Sequence, residues 1–237
     1  MEFIMPSINL MTIEKVLKNT SKKPQQADQI IFKSEQEAQD YAKKRVIEAL
    51  KAEPPFERAV LVQKNKVIDE FDGSQYSVPF DPKNYKEYQE LSIIHGHPDT
   101  FEKGKATPIS SGDIDLLLFN DNINTVQAYS SVGEHSTITR KTGFWNKVKT
   151  FFARTHSYSD SNNLVKKLLP QELKERKKTL LLNIKKGNFD IDEPERIQQE
   201  ILKAVSSKDA SLKIHQYLTK TMPKYGLDYT TNYSYLV

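Results

Sequence analysis

The sequence contains no cysteine, so neither a disulfide nor a thiolate ligand is open to it, and any metal it holds must rest on His, Asp or Glu. It also lacks any apolar run near the ~20 residues that a membrane-spanning helix requires. Its first residues, MEFIMPSINLMTIEKVLKNTSKK, lack the basic start, clean apolar stretch and small-residue cleavage site of a secretory signal. These absences point to a cytoplasmic protein, with export by a route that needs no signal peptide as the alternative. There is no internal repeat and no DNA- or RNA-binding motif, so nucleic acid is not an expected partner.

What is present fits a globular chain: 237 residues, 37% apolar and 28% charged, enough for one large domain or an ordinary domain with an extension. The net charge of +4 is unevenly spread, with 18 Lys+Arg against 10 Asp+Glu over residues 141–237 and 17 against 21 before them. Lysine-rich clusters at Lys166-Lys167, Arg176-Lys177-Lys178 and Lys185-Lys186 read as solvated helix faces, or as a surface for an acidic partner.

The pattern divides the chain into three stretches. Residues 1–33 read as an arm or linker, with one short amphipathic turn from Ile13 to Leu17 and the polar run SKKPQQADQ. Residues 34–141 carry alternating element types. Ser34 with Glu37 forms a capping-box pattern, and Ala38, Tyr41, Ala42, Val46, Ala49 and Leu50 follow at helical spacing, so a helix is expected from Glu35 to Lys51. A hairpin is expected around Lys64-Asn65-Lys66, a loop or short helix from Gln75 to Glu90, a buried strand from Leu91 to Ile94, a helix from Asp113 to Phe119, and strands at Thr125–Tyr129 and Thr137–Arg140. Residues 142–237 read as a basic helical extension: an amphipathic helix whose Phe144, Trp145, Phe151 and Phe152 are expected to pack, a polar loop at 157–163, and helices at 171–185, 194–205 and 210–220.

Chemistry concentrates in LSIIHGHPDTFEKGKATPISSGDIDLLL, from Leu91 to Leu118. In a strand, residues two apart share a face, so His95 and His97 would aim both imidazoles at one point. A third ligand is needed, and Asp113, at the start of the next helix, is the nearest carboxylate with a structural reason to be held still. A His, His, Asp set with water in the fourth position is what a catalytic zinc site requires. Taken alone, Ser110-x-x-Asp113 is a helix-capping pattern, and a capped helix start would hold a ligand rigidly. His135 and His156 are expected to be solvated, and His215 to lie on the surface or in packing.

His95-Gly-His97-Pro98 followed by Ser110-Ser-Gly-Asp113 resembles the signature of the JAB/MPN (JAMM) metalloprotease family, which includes deubiquitinating isopeptidases and RadC-like bacterial proteins. The resemblance implies an α/β (α+β), cytidine-deaminase-like mixed sheet flanked by helices over residues 34–141, with the C-terminal helical extension outside it. It implies Zn²⁺ on His95, His97 and Asp113, Ser110 as an oxyanion donor, and an upstream glutamate as general base. Glu57, which follows the first helix and leads into an apolar strand, matches that base best, with Glu53 and Glu70 as rivals. The implied activity is hydrolysis of a peptide or isopeptide bond in a protein or peptide, ubiquitin-like conjugates included. The alternatives are a non-catalytic interaction module of that fold and a RadC-like nucleic-acid-associated protein. The segment between Pro98 and Ser110 is longer than the compact loop of most members, and suggests a substrate-facing flap.

Overall fold

The structure, a computed structural model, describes residues 29–74, 78–102, 104–106, 108–161 and 208–236, with single positions at 174 and 178. The turn expected at Ile13 to Leu17, the helices expected at 171–185 and 194–205, and the lysine clusters lie outside these residues, apart from Lys174 and Lys178, which are helical and exposed.

Helix α1 (Glu35–Leu50) starts where Ser34 accepts a hydrogen bond from the Glu37 amide, and its buried stripe is made of small residues, Ala38, Ala42, Val46 and Ala49, ending at Leu50. That stripe lets the helix lie close on the sheet. Strand β1 is a two-residue piece (Ile30–Ile31), β2 is Arg58–Gln63 and β3 is Lys66–Asp72. They are followed by β4 (Leu91–Gly96), a small hairpin of β5 (Asp99–Glu102) with β6 (Lys105–Ala106), helix α2 (Ser111–Phe119), β7 (Ile123–Tyr129) and β8 (His135–Arg140). Helices α3 (Phe144–Ser161) and α4 (Lys208–Thr221) and strand β9 (Leu227–Thr231) follow, and short 3-10 helices lie at Pro82–Tyr85, within the stretch expected to be loop or short helix, and at Met222–Tyr225.

Seven strands form one mixed sheet in the order β1-β3-β2-β4-β7-β8-β9. Its pairs are antiparallel except β4 with β7, which run parallel and are joined through α2. Period-two alternation divides the two faces. Val60, Val62, Ile94 and Tyr129 pack under α1, whereas Ala59, Ile93, Val126, Ala128 and Ile138 pack under α2, α3 and α4. On β4 the second face therefore runs Leu91, Ile93, His95.

The α/β class and the mixed sheet agree with the sequence reading, as do α1, the β2–β3 hairpin, β4, α2 and β7. Three features differ. Residues 30–32 pair with the β2–β3 turn end, and residues 227–231 pair with β8, so the sheet runs past both ends of the 34–141 stretch. Helix α3 continues to Ser161, through the Ser- and Asp-containing segment expected to be a loop. The four aromatics of α3 expected to pack instead face out, with Phe144 72%, Trp145 74%, Phe151 61% and Phe152 59% exposed. The side of α3 that meets the protein carries Thr150 and Ala153, since Thr150 Oγ1 donates to the Tyr225 carbonyl at 2.9 Å.

Candidate metal centre

The open end of the β4–β7 parallel pair, where β4 finishes and α2 begins, is where an α/β sheet has room for a ligand. Strand β4 stays extended past Gly96, because the His97 amide donates to the Tyr129 carbonyl at 2.8 Å. His95 and His97 thus project from the same face, with ring centroids 4.9 Å apart. Gly96 points to the other face, where a Cβ would stand 2.8 Å from Leu50 of α1. Glycine at that position lets the first helix press against the strand that carries both histidines.

Asp113 is placed by the start of α2. Ser110 Oγ accepts from the Asp113 amide at 3.3 Å, and Asp113 Oδ2 accepts from the Ser110 amide at 2.7 Å, a reciprocal capping box. The Ser110 hydroxyl also donates to Asp113 Oδ2 at 2.7 Å. The far end of α2 is held by two arginines. Arg140 donates to the carbonyls of Leu117, Asn120 and Ile123, and Arg154 donates to that of Leu118 while pairing with Asp121. Cations at a helix C-terminus satisfy its orphan carbonyls and oppose its dipole, so the helix is fixed at both ends.

These elements bring three ligand atoms together. His95 Nε2 lies 3.1 Å from His97 Nε2 and 3.1 Å from Asp113 Oδ1, and His97 Nε2 lies 3.5 Å from Asp113 Oδ2. A tetrahedral zinc with bonds of ~2.0–2.1 Å needs ligand atoms about 3.3–3.4 Å apart; the two imidazole nitrogens stand near that spacing, and the two carboxylate oxygens each face one of them. All three residues are buried, and they are the one group of its kind among the described residues. Burial alone would raise the Asp113 carboxyl, yet the charge and hydrogen bonding of the two imidazoles outweigh it and hold the group well below the usual carboxylate range. A carboxylate that stays ionised in a buried place, facing two imidazole nitrogens, is a donor set suited to a divalent metal that accepts nitrogen. The other ring nitrogen of His95, Nδ1, is buried with no hydrogen-bond partner among the described residues.

Glu57 is brought to the same place by strand register. Ala59 pairs with His95 across the antiparallel β2–β4 ladder, and continuing that register one residue beyond the start of β2 brings Glu57 to the ligand face on the side of His97, where it interacts electrostatically with His97, His95 and Asp113. Its backbone is clamped from the other side, where the Glu57 amide donates to the Ser74 carbonyl and the Gly73 amide to the Glu57 carbonyl, both at 2.8 Å. Burial pushes the Glu57 carboxyl up, His97 and then His95 pull it down, and Asp113 pushes it up again. The rivals are elsewhere: Glu53 is exposed, and Glu70 faces α1, accepting from Tyr41 at 2.7 Å and Arg45 at 3.0 Å.

The remaining histidines stay out of the cluster. His135, expected to be solvated, is stacked on Tyr129 with ring centroids 4.7 Å apart, and burial followed by the charge of Lys43 lowers its pKa. His215 Nδ1 is 3.2 Å from the Tyr229 hydroxyl, and His156 falls in α3 rather than in a loop.

The long segment after Pro98 is the β5–β6 hairpin, which sequence reading left without structure. Asp99 pins it: its carboxylate accepts from the Gly104 amide at 2.8 Å and from the Ser131 hydroxyl at 2.6 Å. Gly104 has φ +80, which a side chain would strain, so the Asp99…Gly104 spacing was the available signal for this turn.

The chain matches no family model, no curated protein and no solved structure. No helix among the described residues is long and apolar enough to cross a membrane.

Proposed function

We propose that this chain is a zinc-dependent metallopeptidase or isopeptidase of the JAB/MPN type, acting on an amide bond in a protein or peptide, ubiquitin-like conjugates included. The observation that carries the reading is the β2–β4 register, which sets Glu57 opposite His97 at a buried His, His, Asp cluster. A carboxylate whose pKa is lifted by burial beside a three-ligand site is the pairing that metal-assisted hydrolysis uses. Sheet order supports the reading too, since the ligands come from the end of one parallel strand and from the helix that leads to its parallel neighbour.

His95, His97 and Asp113 would hold the ion. Bound zinc supplies a Lewis acid that polarises a carbonyl and brings the pKa of water down to about 7. Glu57 takes a proton from the attacking water at its carboxylate and delivers it to the leaving amine. Ser110 turns its O–H from Asp113 Oδ2 to the oxygen of the attacked carbonyl, keeping its acceptor contact with the Asp113 amide. The hairpin pinned by Asp99 borders the ligands in sequence on one side and Ser110 on the other, and forms the rim that meets the substrate.

The test combines metal analysis of the purified chain with hydrolysis of a panel of peptide and isopeptide substrates. Glu57→Gln should lower kcat by roughly 10²–10⁴ while zinc content stays unchanged. A chain that binds no zinc, or full activity in Glu57→Gln or His97→Ala, overturns the reading. Zinc retained with no hydrolysis in the parent would leave an interaction module in its place.

A further inference from the structure

The outward side of α3 carries an apolar sector that the metal centre does not use. On a helical projection at 3.6 residues per turn, Phe151, Phe144, Val148, Phe152 and Trp145 fall within about 120° of arc. Phe144, Trp145 and Phe151 are 61–74% exposed, an unusual concentration of large aromatics on a folded surface. Lys147 borders the sector on one edge and Lys149 on the other, both exposed. Alongside, a cavity of about 300 Å³ is lined, among the described residues, by Trp145, Val148, Phe152 and Ala153 with Lys149, Lys224 and Tyr225, none of them acidic. From Phe144 to Arg154 the helix has three cations and no acid. Among the described acids, Asp121 pairs with Arg154 at the end of this stretch, which leaves Lys147 and Lys149 as the cations flanking the sector, and Asp228 pairs with Lys141 at 2.7 Å.

We infer that this face of α3 is a docking surface for an anionic lipid membrane, on which the helix lies in the plane of the headgroups. Phe and Trp side chains on one side of a helix enter the boundary between headgroups and acyl chains, and lysines on both edges reach back to anionic phosphates. Trp is suited to that boundary because its ring is apolar and its N–H remains wet. A second copy fits the face less well. Two-fold pairing of this surface would bring its lysine edges together with no described acid in the patch to receive them. The inference is independent of the metal centre, and neither stands on the other.

Trp145 is the sole tryptophan of the chain, so its emission reports this face alone. The full chain is titrated with vesicles of phosphatidylcholine, with or without phosphatidylserine. Phosphatidylserine vesicles should shift the emission to the blue, and brominated acyl chains should quench it. Lys147→Gln with Lys149→Gln, two exposed changes, should weaken that binding roughly thirtyfold, and added salt should weaken it in the parent. Phe144→Ala with Phe151→Ala should abolish the shift while thermal stability without lipid stays the same. Four results overturn the inference. They are no partition into either vesicle, equal partition into both, a Trp145 already shielded from acrylamide in the monomer, and a blue shift without lipid that grows with protein concentration. The last two would assign the face to the chain itself or to a second copy.

Discussion

Adding and removing zinc should change the stability of this protein by an amount set by the three-ligand cluster. One ligand atom from each of the three residues lies within 4.8 Å of the others, so the ligands are gathered before any ion binds. Binding to the folded state alone stabilises by about 2.7 kcal/mol when free zinc is one hundred times its Kd. For a chain of this length each kcal/mol moves Tm by ~2–4 °C, so the expected rise is roughly 5–11 °C. The assay is thermal unfolding of chelator-treated chain with and without zinc, beside Asp113→Asn and His97→Ala. Asp113→Asn replaces a charged ligand by a neutral amide and should erase most of the rise. Magnesium and calcium should give none, because both prefer oxygen donors. The rise should shrink in acid, because protons compete with the ion for its ligands. An unchanged Tm in the parent, or an equal rise in both variants, would refute the claim that these three residues form a preorganised metal site.

Gly96→Ala should destabilise the fold by about 1–3 kcal/mol in urea titrations through its approach to Leu50, and adding Leu50→Ala should recover part of the loss; additive losses would show that no contact between the two positions is responsible. His135 has a folded pKa lowered by burial and by Lys43, so the unfolded chain binds the proton more readily. Stability from this residue is present above about pH 6.5 and lost as pH falls through the lower folded value, so His135→Gln should flatten the acid side of a urea-midpoint profile between pH 7.5 and 5, and an unaltered profile would refute it.

Much of the site was legible because its parts are local. His-x-His on an apolar strand and Ser-x-x-Asp before an apolar run each state their geometry within a few residues, and the structure adds only that they converge. Glu57 could be favoured over Glu53 from its position before an apolar strand, but its place opposite His97 depends on pairing between segments some forty residues apart. Distant pairing also explains the omissions. Strand β9, LDYTT, is short and polar and finds β8 across nearly ninety residues, and the two residues of β1 carry almost no pattern. Helical spacing foretold an amphipathic α3 but could not say which side met the protein. Thr150 and Ala153 allow a close approach to the 222–225 turn, and that contact turns the aromatics outward.

The β2–β4 register also separates two properties that might otherwise change together. Because side chains alternate with period two, one residue inserted or deleted between Glu57 and Leu61 would rotate Glu57 to the α1 side of the sheet. His95, His97 and Asp113 belong to β4 and α2 and would keep their positions. A single-codon length change would thus part Glu57 from the three candidate ligands without altering any of them, so base and ligand set are separable by one event in β2.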